Sequence, residues 1–143
     1  MDTRALGPLI GEWSMEALFP NAPPTGPSGR TTFEWMNGEQ CVIQRWEVAH
    51  PAAPDGIAVI GVDERRGTYL QHYFDSRGVA RVYEMEFGGG LWKLSRTTQD
   101  FSPLDFAQRF TARVGADRID GRWEIRRDGS EWEFDFELIY RRA

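Results

Sequence analysis

The chain has 143 residues, a single cysteine, and a net charge of −5 from 17 basic and 22 acidic side chains. That length suits one domain, 1–143, able to bury a core without a metal or disulfide staple. The lone Cys41 excludes an internal disulfide, interspersed charges disfavour a nucleic-acid partner, and no apolar run approaches membrane-spanning length; a cytoplasmic protein without membrane insertion is expected.

The segment Thr3 to Ile10 is the best helical candidate, interrupted by Pro8 and closed by Gly11. Beyond it no helical period persists. Six tryptophans, nine phenylalanines and 15 glycines suggest aromatic strands separated by glycine turns. Alternation predicts about ten strands: near 11–19, 29–36, 40–49, 56–63, 67–75, 79–87, 91–98, 105–113, 118–126 and 131–141. Proline-rich or irregular stretches at 20–29, 50–56 and 97–105 read as loops around one mouth.

Turn chemistry sets a register for each hairpin. Asn37-Gly38 as a two-residue loop places Phe33 opposite Val42 and Thr31 opposite Gln44. Gly88-Gly89 places Met85 opposite Trp92, Glu84 opposite Lys93, the only lysine, and Arg96 across from Arg81. Asp128-Gly129 places Trp123 opposite Phe134 and Ile125 opposite Trp132, although Glu124 then faces Glu133. A consecutive meander with one apolar face buries that face best by closing into an antiparallel up-and-down β-barrel, so the fold class is all-β.

The opening LGPLIGEW, a short segment running into Gly11-x-Trp13, resembles the signature of calycin barrels: lipocalins, fatty-acid-binding proteins and haem-binding nitrobindins. With YFDSRGVARVYEM and the closing GRWE and DGSEWEFDFELIY, the whole chain is similar to a bacterial calycin-like family of unassigned function, and distantly to nitrobindin-type barrels. The resemblance implies that Trp13 packs across the base of the barrel, and that a central cavity takes a small, mostly apolar ligand. Nitrobindins hold haem through a histidine near the C-terminal end of the barrel. This chain has no histidine after His72, so no cofactor is expected. Arg81-Val82-Tyr83 has the spacing of the Arg-x-Tyr pair of fatty-acid-binding proteins, but on a middle strand.

The stretch LQHYFDSRGVARVYEM carries the most polar chemistry. A loop of Ser76, Arg77 and Gly78 pairs Asp75 with Val79, Tyr73 with Arg81, His72 with Val82 and Gln71 with Tyr83. Tyr69, Gln71, Tyr73, Arg81, Tyr83 and Met85 then share the inward face, and His72 points outward, away from Asp75. A His72–Asp75 dyad is therefore geometrically poor, and Arg77 reads as a solvated turn residue. His50 lies in a loop without a placed partner. His50, His72 and Cys41 cannot assemble a zinc-like cluster, and Cys41 lacks a base that would make it a nucleophile.

Two interior arginines need partners, because an isolated buried charge is costly. Either Arg81 and Arg96 snorkel near a barrel end, held by Asp75 and tyrosine hydroxyls, or they form an anion-binding end of the cavity. The preferred function is binding of a small amphipathic molecule. Its apolar body would lie against Phe33, Trp35, Trp46, Trp92, Phe110 and Phe134. Its polar or anionic end would meet Arg81, Arg96, Tyr73 and Tyr83, with Gln44, Gln71 and Gln108 nearby. The rivals are an isomerase, cyclase or hydratase-like enzyme using cavity tyrosine and arginine, and a dimeric interaction module whose interior is filled. Monomer and homodimer are both compatible with the exterior.

Overall fold

The computed structural model describes residues 1–23, 29–49 and 53–143. A short 3-10 helix, Thr3–Leu9, precedes ten strands: β1 (Gly11–Leu18), β2 (Gly29–Trp35), β3 (Val42–Val48), β4 (Gly56–Asp63), β5 (Thr68–Asp75), β6 (Ala80–Gly88), β7 (Leu91–Arg96), β8 (Ala107–Val114), β9 (Arg118–Arg126) and β10 (Glu133–Arg142). Each strand pairs antiparallel with its sequence neighbours, and β1 also pairs with β10, so the sheet closes into a barrel without an edge. Closure supplies every strand with partners on both sides while the inward residues bury one another.

One end is plugged by the helix. Leu6 and Leu9 are fully buried beneath the barrel, and Asp2 caps the helix by accepting a hydrogen bond from the Arg4 amide at 2.9 Å. The indole Nε1 of Trp13 donates to the Leu9 carbonyl at 2.9 Å. Arg142 stacks its guanidinium 4.0 Å over the Trp13 ring and donates to the Ile10 carbonyl at 2.9 Å. A cation on a desolvated indole contributes on the order of 1–2 kcal/mol, so the first and last strands are bound at this end by more than their ladder. Gly11 (φ +130) is required here: a Cβ would lie 2.6 Å from Arg142 Nη1.

Four hairpins test the turn chemistry. The β5–β6 register follows the sequence reading, with Tyr73 opposite Arg81 and Gln71 opposite Tyr83; Gly78 takes the left-handed conformation (φ 84) that the three-residue loop demands. In β2–β3, Phe33 lies opposite Gln44 and Trp35 opposite Val42, because the loop between Met36 and Cys41 has four residues where a tight turn has two, and the Glu39 amide donates back to the Met36 carbonyl. In β6–β7 the tight turn is Gly89-Gly90, both with positive φ (59 and 78), so Lys93 faces Glu86, and Trp92 faces Phe87. Both slips are even, and a strand has period two, so the faces are preserved.

The β9–β10 hairpin differs in kind. Phe134 pairs with Glu124, Phe136 with Trp123, and Asp135 between them is bulged out of register. A bulge flips the faces on one side of it. Phe134 and Trp132 therefore lie on the outer surface, Phe134 under Arg122 (4.4 Å) and Trp132 between Arg109 (4.3 Å) and Arg126 (4.9 Å). The expectation that Phe134 faces a ligand is corrected. Glu124 is freed from Glu133 and receives Arg109 Nε at 2.9 Å, which removes the like-charge conflict of the two-residue turn.

Candidate ligand-binding cavity

The end opposite the helix is where β1, β3, β5, β7 and β9 finish, and it opens into a cavity of about 670 Å³. The volume lies within the few hundred to one thousand Å³ typical of small-molecule sites. An interior of this size contradicts the filled barrel that the interaction-module reading required. The flanking irregular segments come from the loops read as a mouth, with Phe19, Pro23, Pro54 and Phe106 on its rim.

The wall is an aromatic chain in continuous contact. Trp46 lies 5.4 Å from Tyr73, Tyr73 6.0 Å from Tyr83, Tyr83 5.7 Å from Trp123, and Trp123 5.0 Å from Phe110. Phe110 meets Trp92 edge-on at 5.1 Å. Such pairs add ~0.5–1.5 kcal/mol each beyond burial, so the wall is stiff rather than collapsible. Two glycines make room for it. A Cβ at Gly121 would sit 2.4 Å from the Phe110 ring, and one at Gly56 only 2.0 Å from Trp46.

Polar groups interrupt this wall on β3, β5, β6 and β8. Gln108 Oε1 accepts from the Tyr83 hydroxyl at 2.9 Å and from Arg81 Nη1 at 3.4 Å. Gln44 donates to Thr31 Oγ1 at 3.2 Å. Burial pushes the Tyr83 hydroxyl above its ordinary pKa, and burial together with the hydrogen bond to Asp75 does the same for Tyr73; both stay protonated donors. Three buried polar atoms of the wall have no partner among the described residues: Gln71 Oε1, Arg81 Nε and Trp92 Nε1. Gln71 is 4 % exposed and Trp92 1 %. Each such orphan costs about 1–3 kcal/mol in a finished core.

The two interior arginines have separate fates. Arg96 is 2 % exposed and pairs with Asp100 of the β7–β8 loop, Nε to Oδ2 at 2.8 Å and Nη2 to Oδ1 at 2.7 Å; Nη2 also donates to the Ser102 and Pro103 carbonyls. The Arg96 guanidinium, with amides of Val82 and Ser102, holds Asp100 well below the usual carboxylate range. Arg96 is spent on its loop and does not line the cavity, a correction to its expected contact with ligand. Arg81 has no acidic partner among the described residues; it rests 5.8 Å over Phe106.

Asp75 holds neither arginine. It accepts from Arg77 Nη2 at 2.6 Å and from the Tyr73 hydroxyl at 2.6 Å. Burial raises its pKa, but these bonds and the Arg77 amide outweigh it and bring it to about 2. Arg77 is thus a paired residue at the mouth, not merely a solvated turn. The bulged Asp135 joins Phe136 on the cavity wall. Burial pushes its carboxyl above the ordinary value, with Arg127 only partly opposing, and it makes no hydrogen bond or ion pair among the described residues.

Of the residues singled out in the sequence, Gln44, Trp46, Gln71, Tyr73, Arg81, Tyr83, Trp92 and Gln108 line the cavity, as does Phe110. Phe33 does not: it packs beneath, edge-on to Trp92 (6.0 Å) and Tyr140 (6.4 Å). Trp35 ends β2 toward the helical plug and packs on the core there. Tyr140, Trp123, Phe136 and Asp135 belong to the wall and were missed as contacts; the Glu124–Glu133 conflict was the available signal for Asp135. His72 lies outside the barrel, 6.5 Å from Phe101, and His50 lies outside the described residues. Among the described residues no cluster of His, Cys, Asp or Glu fits a metal ion, and no helix is long and apolar enough to cross a membrane.

The chain matches no family model and no curated protein. Among solved structures it is similar to Rv2717c from M. tuberculosis, with 16% identity and a TM-score of 0.63 over 98% of this chain and 96% of that one. A DUF3598-family protein of unknown function from Nostoc punctiforme PCC 73102 aligns over 100% of this chain and 99% of its own at 8% identity, but its TM-score of 0.29 carries no argument. At 16% identity the likeness to Rv2717c is one of fold, over nearly the whole of both chains.

Proposed function

We propose that this chain is a calycin-like barrel of the cytoplasm that binds a small amphipathic molecule, its apolar body against the aromatic wall and its polar or anionic end at Arg81. The observation that carries the reading is the trio of orphaned buried atoms on one cavity wall, Gln71 Oε1, Arg81 Nε and Trp92 Nε1. Unmet donors and an unmet acceptor in an aromatic pocket are what a ligand's polar group would satisfy. Arg81 suits an acid or a carbonyl because Gln108 meets it at only one nitrogen. The reading includes no haem, since His72 is directed away from the interior. An enzymatic role has no support from Asp75: its two strong donors keep it ionised, with a pKa of about 2, a poor base at neutral pH.

Native mass spectrometry of gently purified protein tests this, followed by denaturation and identification of what is released. A one-to-one complex with a small amphipathic molecule is expected. A bare chain whose mass also stays unchanged after addition of undecanoate and undecanol would overturn the reading.

A further inference from the structure

The charges facing the cavity nearly cancel in pairs, and the residue is informative. Among the described residues three charged side chains line it: Arg77, Arg81 and Asp135. Arg77 is neutralised by Asp75. That leaves one cation, Arg81 on β6, and one anion, Asp135 on β10, with three strands between them in the ring. They form no ion pair with each other. The cation that acts on Asp135 is Arg127, whose Nη1 is turned to Glu133 at 3.5 Å.

The bulge makes Asp135 an inward residue by construction. Regular pairing would have carried it to the outer face beside Glu133 and Glu137, where water solvates a carboxylate at no cost. Instead Asp135 and Phe136 both face the interior, among Phe19 (4.9 Å from Phe136) and Trp123 (6.5 Å from Phe136). Bulges commonly re-aim a side chain next to a functional site. The rings of Phe19 and Trp123 beside Phe136 present π-faces that favour a cation.

Resting on the ligand-binding reading above, we infer that the ligand is amphoteric: besides the acidic or acceptor group met by Arg81, it carries a protonated amine received by Asp135. Its apolar segment spans the aromatic wall between the two poles. A guanidinium and a carboxylate held apart in one cavity select against ligands with a single charge, since either would leave one pole unpaired.

Calorimetric titration of the full chain with straight-chain acids tests this, each compared with the analogue bearing an amine on the terminal carbon: hexanoate and aminohexanoate, octanoate and aminooctanoate, undecanoate and aminoundecanoate. Chain length scans the unknown ligand's span between the poles. For at least one length the amino acid should bind roughly tenfold or more tightly than the plain acid. Asp135→Asn should erase that preference, bringing the amino acid's affinity to that of the plain acid. Should the Asn variant fail to fold, the wild-type ratio decides alone. Plain acids that bind at every length as well as their amino partners, or a preference that survives in Asp135→Asn, overturn the inference and leave the ligand-binding reading standing. Binding of no member at all overturns both.

Discussion

Arg96 and Asp100 form a fork-to-fork ion pair at the end of β7, with both Nε and Nη2 engaged at 2.8 and 2.7 Å and Arg96 almost wholly buried. Removing one partner strands the other in a dry site. Asp100→Ala is expected to cost about 3 kcal/mol or more, read from the urea midpoint. Arg81→Gln, which removes a cation with no acidic partner, should hold or raise stability. If the two variants lose stability equally, the division between a structural and a ligand-facing arginine is wrong.

Acid should loosen the mouth first. Asp75 and Asp100 have folded pKa values below the ordinary 3.8, about 2 for Asp75. A carboxylate depressed by folding contributes stability that is complete above its unfolded pKa and lost as pH falls through the folded one. The contribution of Asp75, with its half-exposed Arg77 partner, is on the order of 1–2 kcal/mol at neutral pH. Urea midpoints should therefore fall between about pH 4 and pH 2, and Asp75→Asn should flatten that fall. Asp135 has the opposite sign: its raised pKa favours the fold below its unfolded pKa, and that contribution is lost as pH rises through the folded one.

Gly121 leaves the space that the Phe110 ring occupies. Gly121→Ala would put a methyl 2.4 Å from that ring and 3.1 Å from the Leu138 carbonyl. Phe110 must swing into the cavity or the strands must part, at a cost of roughly 1–3 kcal/mol. Gly61→Ala is the control, its new methyl meeting nothing nearer than Cys41 Sγ at 3.7 Å. Chemical denaturation of the two variants should show a clear loss for the first and little for the second.

Arg81→Gln should weaken binding of undecanoate by roughly tenfold or more while leaving undecanol nearly unaffected, because only the acid exchanges a charge-assisted bond for a neutral one. Parallel titrations of both probes decide it. Equal losses would assign Arg81 to the architecture of the wall rather than to the recognition of an acid.

The barrel and most of its wall were legible because alternation survives errors that come in twos. Phe33 and Trp92 each slipped two positions against their partners and stayed on the inner face. The β9–β10 hairpin erred by an odd number, since Trp132, Phe134 and Phe136 alternate as evenly as a regular strand would, and nothing in their spacing marks a bulge at Asp135. Only the juxtaposition of Glu124 and Glu133 betrayed it, a cross-strand repulsion that a regular pairing could not relieve. Arg96 was unreadable for another reason: its partner Asp100 comes from an irregular loop, where side-chain direction has no period to follow.

The most direct measurement is a titration of the labelled protein with undecanoate, following the tryptophan indole N–H and arginine Nε–H resonances by NMR. Trp92 Nε1 and Arg81 Nε are buried donors of the cavity wall without a partner among the described residues, whereas Trp13 Nε1 is already bonded to the Leu9 carbonyl. Filling the cavity should move the Trp92 and Arg81 signals saturably and together, and leave Trp13 in place. Cavity resonances that stay fixed up to millimolar probe would contradict the claim that this barrel is a container.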